Sequence, residues 1–151
     1  MTVGNFSSAE LVLAMRWVEL VSALFMTGLI WFVQVVHYPL LAFVGAESTA
    51  YQNAHMRRTT LVVAAPMLAE LTAGIILAAL RVGPGWQRWP ATVLLAVVWL
   101  ATITLLVPAH DALGRGFDAR VHRRLVASNW IRTVAWTARA ALCSAALWRG
   151  R

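Results

Sequence analysis

Four blocks of apolar residues, separated by shorter polar stretches, follow one another along this chain. Each block approaches the ~20 residues that an α-helix needs to cross a hydrocarbon core of ~30 Å. The pattern predicts four transmembrane spans, at residues 17–36, 59–80, 89–107 and 125–148. No remaining stretch is long enough for a separate soluble domain. We therefore expect residues 1–151 to form one all-α domain, a bundle of four transmembrane helices.

Composition agrees with a membrane protein. Of the 151 residues, 60% are hydrophobic and 13% are charged, whereas a soluble domain has roughly a quarter of charged residues. The formal net charge of +7 comes entirely from arginine. A basic soluble protein would suggest nucleic acid as a partner, but most of these arginines lie at predicted helix ends and in short loops, where lipid headgroups are. The lipid bilayer is the expected partner, and nucleic acid is not.

The four spans divide the chain between two sides of the membrane. Side A receives both termini and the turn at 81–88, and side B receives the longer loops at 38–58 and 108–124. Near the spans, side B has one arginine more than side A. Positive residues favour the cytoplasm, so this small excess predicts side B in the cytoplasm of a multi-pass protein of the bacterial inner membrane.

The two halves of the sequence repeat a short pattern. Pro39 and Gly45 have the same separation as Pro108 and Gly114. Two helical hairpins in parallel orientation, related by an axis along the membrane normal, would produce such a repeat. Chance would produce so short a match equally well, so both explanations stay open.

Each predicted span carries one histidine at its side B end. Four imidazoles at a common depth could converge on one ligand, and neutral imidazole is the commonest protein ligand of metals. A mononuclear metal, a haem and a bound anion are all compatible with this placement, and so are ordinary interfacial histidines. The helical i, i+4 pair and the carboxylates of a di-iron site are lacking. The predicted metal ligands are His37, His55, His110 and His122.

Polar residues also recur at helical spacing inside the predicted spans. A charge near the centre of a membrane helix costs roughly 2.5–3.5 kcal/mol and suggests function. We expect Glu70 to pair with Arg132 or Arg139 at a similar depth, which leaves one arginine for an anionic ligand. The alternative is that these groups only hold the helices together. The predicted ligand-binding residues are Gln34, His37, His55, Glu70, His110, His122, Asn129, Arg132 and Arg139.

Several segments resemble a family of short bacterial four-helix membrane proteins of uncharacterised function. They are GLIWFVQVVHYP at 28–39, HMRRTT at 55–60, PMLAE at 66–70, VPAH at 107–110, and NWIR at 129–132 with the sequence up to Arg139. More distantly, VPAH and the later WIRT resemble the anthrone-oxygenase-like domain of unknown function. This second resemblance implies an oxygenase-like or small-molecule role and assigns no catalytic residue.

Three classes of function follow, and enzymatic activity stays open. The first is a site for a metal, haem or small hydrophobic or anionic molecule at side B, with a redox or oxygenase-like role. The second is an accessory subunit that docks membrane partners or a second copy of itself. The third is an oligomeric proton-coupled transporter that uses Glu70 as its carboxylate.

Overall fold

A computed structural model describes residues 7–44 and 48–149, and in this part of the chain all regular secondary structure is helical, without strands. Helix α1 is Ser8–Leu41, α2 is Ser48–Ala79, α3 is Gly85–Arg115 and α4 is Ala119–Arg149. The first three are long and apolar enough to cross a membrane, with hydropathies of 1.8, 2.1 and 2.3. The membrane character and the first three predicted spans are thereby supported. Polar residues lower the hydropathy of α4.

Local hydrogen bonds define where two of the helices begin. Ser7 and Glu10 form a capping box at the start of α1, where the Glu10 N–H donates to Ser7 Oγ over 3.2 Å. At the start of α4, Asp118 Oδ1 accepts from the N–H groups of Arg120 and Val121 at 2.6 and 3.1 Å. The N–H groups of Val121 and Arg120 hold the pKa of the Asp118 carboxyl below its usual range. Both caps satisfy backbone donors that a helix start leaves free.

The side B loops are much shorter than predicted. Most of 38–58 and 108–124 is helical, and the described non-helical residues there are only 42–44 and 116–118. The prediction ended the helices where the apolar blocks end, but helices extend beyond the hydrocarbon core wherever polar residues keep a helical backbone. Gly45 of the predicted repeat lies outside the described residues. Pro66 lies within the continuous helix α2.

Helices α1 and α3 each contain one π-helical segment, Val33–His37 and Thr102–Leu106. Each segment ends two residues before a proline, Pro39 or Pro108. A proline ring clashes with the carbonyl four residues earlier in an α-helix, and the wider π turn accommodates it. The extra residue of the π turn changes the direction of all following side chains by roughly 100° around the helix axis, relative to an uninterrupted α-helix. The buried stripe of each helix therefore continues on the same face beyond the π segment.

The helices pack around a mixed interior and show an apolar exterior. Helix α1 packs against α2 and α4, and α3 packs against α2 and α4. Leu61, Ile103 and Val134 on the outside are 78%, 59% and 62% exposed, which suits contact with lipid. The buried apolar cluster comprises Met26, Ile30, Val33, Tyr38, Leu41, Met67, Val98, Ala101, Leu106, Leu113, Leu125, Ala135 and Trp136.

Candidate functional site

A group of buried charges lies at the middle of the four helices. Arg139 Nε donates to Glu70 Oε1 over 2.7 Å, and Arg139 Nη2 donates to Glu19 Oε1 over 2.9 Å. The other carboxylate oxygen of Glu70 accepts from Trp136 Nε1 at 2.8 Å, and Arg139 Nη1 donates to the carbonyl of Ala91. Of the two arginines predicted as partners of Glu70, Arg139 is the one that binds it. These contacts join all four helices.

Arg132 has quite different surroundings. Its side chain is buried, its Nε has no hydrogen-bond partner, and its guanidinium lies 4.9 Å from the ring centroid of Trp136. The ion pairs found among residues 7–44 and 48–149 all involve Arg139. A buried charge is costly unless it is paired, and Arg132 is a buried cation that forms no ion pair with any residue in the described part of the chain.

Arg132 lines a cavity of about 120 Å³ between the helices. Such a combination of apolar walls with a few polar groups is typical of small-molecule sites. The apolar wall includes Met26, Ile30, Val33, Met67 and Leu106, and the polar groups include Tyr38, His55, Thr59, Thr102, His110 and Arg132.

Tyr38, His110 and Gln52 form a buried hydrogen-bonded chain beside this cavity. As the Gln52 amide is placed, its Nε2 donates to His110 Nδ1 over 2.6 Å, and this orientation puts the proton of the neutral ring on Nε2. His110 Nε2 then donates to the Tyr38 oxygen over 2.8 Å. The hydroxyl proton of Tyr38 is left to donate elsewhere. Tyr38 and Arg132 therefore offer the cavity two kinds of hydrogen-bond donor.

The predicted convergence of histidines involves three of the four rings. The centroids of His37 and His55 lie 4.1 Å apart in a stacked pair, and those of His55 and His110 lie 5.8 Å apart. His122 is placed differently, because its Nε2 donates to the carbonyl of Tyr38 over 2.7 Å. The ring of His122 instead lies beside Phe117.

These contacts bear on the predicted four-histidine metal site. No group of three or more His, Cys, Asp or Glu side chains in the described ranges could hold a metal ion. His110 uses both ring nitrogens in hydrogen bonds to side chains, and His122 Nε2 is bound to a backbone carbonyl. Neither residue offers these nitrogens to a metal in this arrangement.

Gln34 and Asn129, also predicted as ligand-binding, connect α1 to α4. Asn129 Nδ2 donates to Gln34 Oε1 over 2.8 Å, and Gln34 Nε2 donates to the carbonyl of Val126 over 3.1 Å. Neither residue lines the cavity. Their side chains serve contact between helices, which was the alternative interpretation of the polar faces.

Tyr38 is a site residue that the sequence analysis missed. A regular helix would place His37 on the inward polar face of α1, but the π segment shifts that position by one residue. Tyr38 is consequently 3% exposed, and His37 turns towards the groove between α1 and α2. The proline that follows Tyr38 was the available signal, because a proline within a membrane helix requires a local change of hydrogen bonding.

That groove is about 210 Å³ in volume and more open than the cavity. Phe32, His37, Arg58 and Val62 belong to the groove alone, whereas Leu29, Val33, His55 and Thr59 line both spaces. The cavity and the groove thus share a wall.

Comparison with known proteins adds no relative to this picture. No protein-family model, no curated protein and no solved structure matches the chain. Of the predicted ligand-binding residues, His55, His110 and Arg132 line the cavity.

Proposed function

We propose that this chain is a four-span membrane protein that binds a small organic anion in the cavity beside Arg132. The observation that carries the proposal is a buried arginine with no acidic partner among the described residues, placed on the wall of a cavity. A carboxylate or phenolate in the cavity would supply the missing counter-charge. The hydroxyl of Tyr38 and the guanidinium of Arg132 would both donate to it.

The size of the cavity restricts the class of ligand. At about 120 Å³, it is comparable with an engineered cavity of ~150 Å³ that binds benzene. One small ring with a charged substituent fits this space, and a haem, with four pyrrole rings, does not. Since both ring nitrogens of His110 and Nδ1 of His55 are engaged in hydrogen bonds, the donor set also favours an anion over a metal ion.

The contacts of α4 support a fourth span. Its polar residues Asn129 and Arg139 are 0% exposed, whereas Ile131 and Val134 on its outer face are 43% and 62% exposed. Polar residues that face the bundle interior are compatible with a membrane helix. Helix α4 also contacts α1 along its length, from the Arg139–Glu19 ion pair to the bond between His122 and Tyr38. It therefore passes through the same thickness as α1.

The π segments support the further proposal of two parallel-oriented hairpins within a four-helix bundle. In both α1 and α3 a five-residue π segment ends two residues before a proline. The repeated pattern thus extends from sequence to local backbone geometry. A duplication would explain both. We also retain the predicted location, a bacterial inner membrane with side B towards the cytoplasm.

The transporter alternative receives less support from the contacts of Glu70. A proton-coupled carboxylate must become free to exchange its proton. Glu70 is 1% exposed, and both of its oxygens accept hydrogen bonds, from Arg139 and Trp136. The accessory-subunit alternative leaves the uncompensated Arg132 and its cavity without a purpose.

Benzoate is the simplest probe of the proposal, because it combines one ring with one carboxylate. Calorimetry on the protein in lipid nanodiscs should detect benzoate binding, and Arg132→Gln should weaken it. A hydrogen bond to a charged group contributes ~1.5–3 kcal/mol, which corresponds to roughly a 10–100-fold loss of affinity. The matched control is Arg124→Gln, an exposed arginine on the same helix, which should bind as the wild type does. Absence of binding, or equal binding by both variants, would overturn the proposal.

A further inference from the structure

We infer that the ligand is an amphiphile whose anionic ring occupies the cavity and whose apolar chain leaves between α1 and α2 into the bilayer. This inference rests on the proposed function and specifies its ligand class. It would make the protein a binder of molecules dissolved in the membrane, which reach the site laterally.

The first support is the wall that the cavity and the groove share. Leu29 and Val33 on α1 and His55 and Thr59 on α2 line both spaces. The two spaces are therefore adjacent across these four side chains.

The outer part of the groove has the chemistry of the lipid phase. Phe32 and Val62 are 56% and 50% exposed on the outer surface of α1 and α2. An alkyl chain seated between them would continue among the acyl chains of the bilayer without meeting water.

The side B end of the groove is polar. The stacked rings of His37 and His55 lie there together with Arg58, whose position suits the lipid headgroups. Nε2 of His37 is buried and has no hydrogen-bond partner in the described part of the chain. An apolar chain would avoid this end and leave sideways, towards the middle of the membrane.

The small volume of the cavity makes it possible to distinguish a site that is open to the groove from a closed site. A cavity of about 120 Å³ holds one substituted ring, and an octyl chain attached to that ring must extend outside it. 4-Octylbenzoate can therefore occupy the site only if its chain leaves the cavity, for which the inferred route is the groove, whereas benzoate needs the cavity alone.

The test measures displacement of radiolabelled benzoate by 4-octylbenzoate in nanodiscs. In the wild type, 4-octylbenzoate should displace benzoate. In Val62→Trp, which fills the outer groove, its potency should fall at least tenfold, while the affinity for benzoate itself should stay within twofold. Unchanged benzoate affinity also shows that the variant is folded. The matched control is Leu61→Trp, at an adjacent position that is 78% exposed and outside the groove, which should leave both ligands unaffected.

The outcomes separate the two proposals. If benzoate binds with the expected dependence on Arg132 but 4-octylbenzoate fails to displace it, the site is closed to the bilayer and this inference fails alone. Equal potency of 4-octylbenzoate in the wild type and Val62→Trp also overturns it, because the chain then takes another way out. If the wild type binds neither ligand, the proposed function fails and this inference with it.

Discussion

Arg132 and Arg139 lie on the buried face of one helix and differ in what compensates their charge. Arg139 contacts two carboxylates, of Glu19 and Glu70. Arg132 contacts the face of an aromatic ring, which attracts a cation far less strongly than a carboxylate at low dielectric. The formal charges of Glu19, Glu70, Arg132 and Arg139 sum to zero. The buried charge is therefore balanced as a whole, but Arg132, the cation that forms no ion pair, lies at the cavity.

The contributions of Glu70 and Arg139 to the free energy of unfolding should be strongly coupled. Glu70→Gln should destabilise the protein by ~3–5 kcal/mol, because it leaves a buried arginine short of counter-charge. Glu70→Gln combined with Arg139→Met should cost less than the sum of the two single losses. Reversible unfolding in mixed micelles measures each free energy.

The matched control for this cycle is Arg132→Met combined with Glu70→Gln. Since Arg132 forms no ion pair with Glu70 in the structure, its cycle should show a much smaller coupling energy. Additive losses for Glu70 and Arg139 would contradict the observed ion pair. Strong coupling between Glu70 and Arg132 would show that Glu70 pairs with Arg132 and not with Arg139.

The two π segments decide which side chains of α1 and α3 face inwards. Val98 and Leu106 are both buried. In a regular helix the directions of their side chains would differ by roughly 80° around the helix axis, and the π segment reduces this difference to roughly 20°. The same relation holds between Ile30 and Tyr38. Tyr38 directly follows the first segment and His110 lies one helical turn after the second, so the hydrogen bond between them depends on both.

Deletion of a residue from a π segment should therefore be tolerated if the proline is removed too. A variant that lacks Thr104 and carries Pro108→Ala should form a regular α-helix, keep His110 facing Tyr38, and bind benzoate within a fewfold of the wild type. The reason is that a π bulge contains one residue more than the α-helix it interrupts. Calorimetry in nanodiscs provides the measurement.

The control deletes Val97, in the regular part of the same helix, together with Pro108→Ala. This deletion rotates everything after it by roughly 100° while the π segment stays, so benzoate binding should be lost. If both deletions abolish binding, the π segments do not determine which side chains point into the site.

On the scale of the whole molecule, the helices show an apolar outer face around a buried group of charges, Glu70, Arg132 and Arg139. Three helices qualify as spans by length and hydropathy, and the proposal adds α4 because its polar groups are satisfied by the other helices. The turn that contains Gly83 and the end of α4 at Arg149 should then lie on one side of the membrane. The turn before α4 should lie on the other.

Reporter fusions test this arrangement. Fusions at Gly83 and after Arg149 should give the same sidedness, and a fusion at Asp118 should give the opposite one, because α4 crosses the membrane between the last two. If the fusions at Asp118 and Arg149 agree with each other instead, α4 lies along the surface and the four-span proposal fails.

The sequence by itself determined the features that depend on local composition. Burial of apolar residues in lipid and the length of a membrane helix are properties of a continuous segment, so the helices of the first three spans and their approximate centres followed from hydrophobicity. The pairing of Glu70 with an arginine of the last helix followed from depth along the helix axis, since a helix rises by a fixed ~1.5 Å per residue.

Only the tertiary structure decided which groups meet. Depth did not distinguish Arg132 from Arg139; the contacts of Glu19 and Glu70 with Arg139 did. Tyr38, and not His37, faces the bundle interior because a π turn rotates the helix before Pro39. A regular helical wheel does not include that rotation. Distances between side chains of different helices arise from packing, which no single segment encodes, and the cavity beside Arg132 exists only once all four helices are in place.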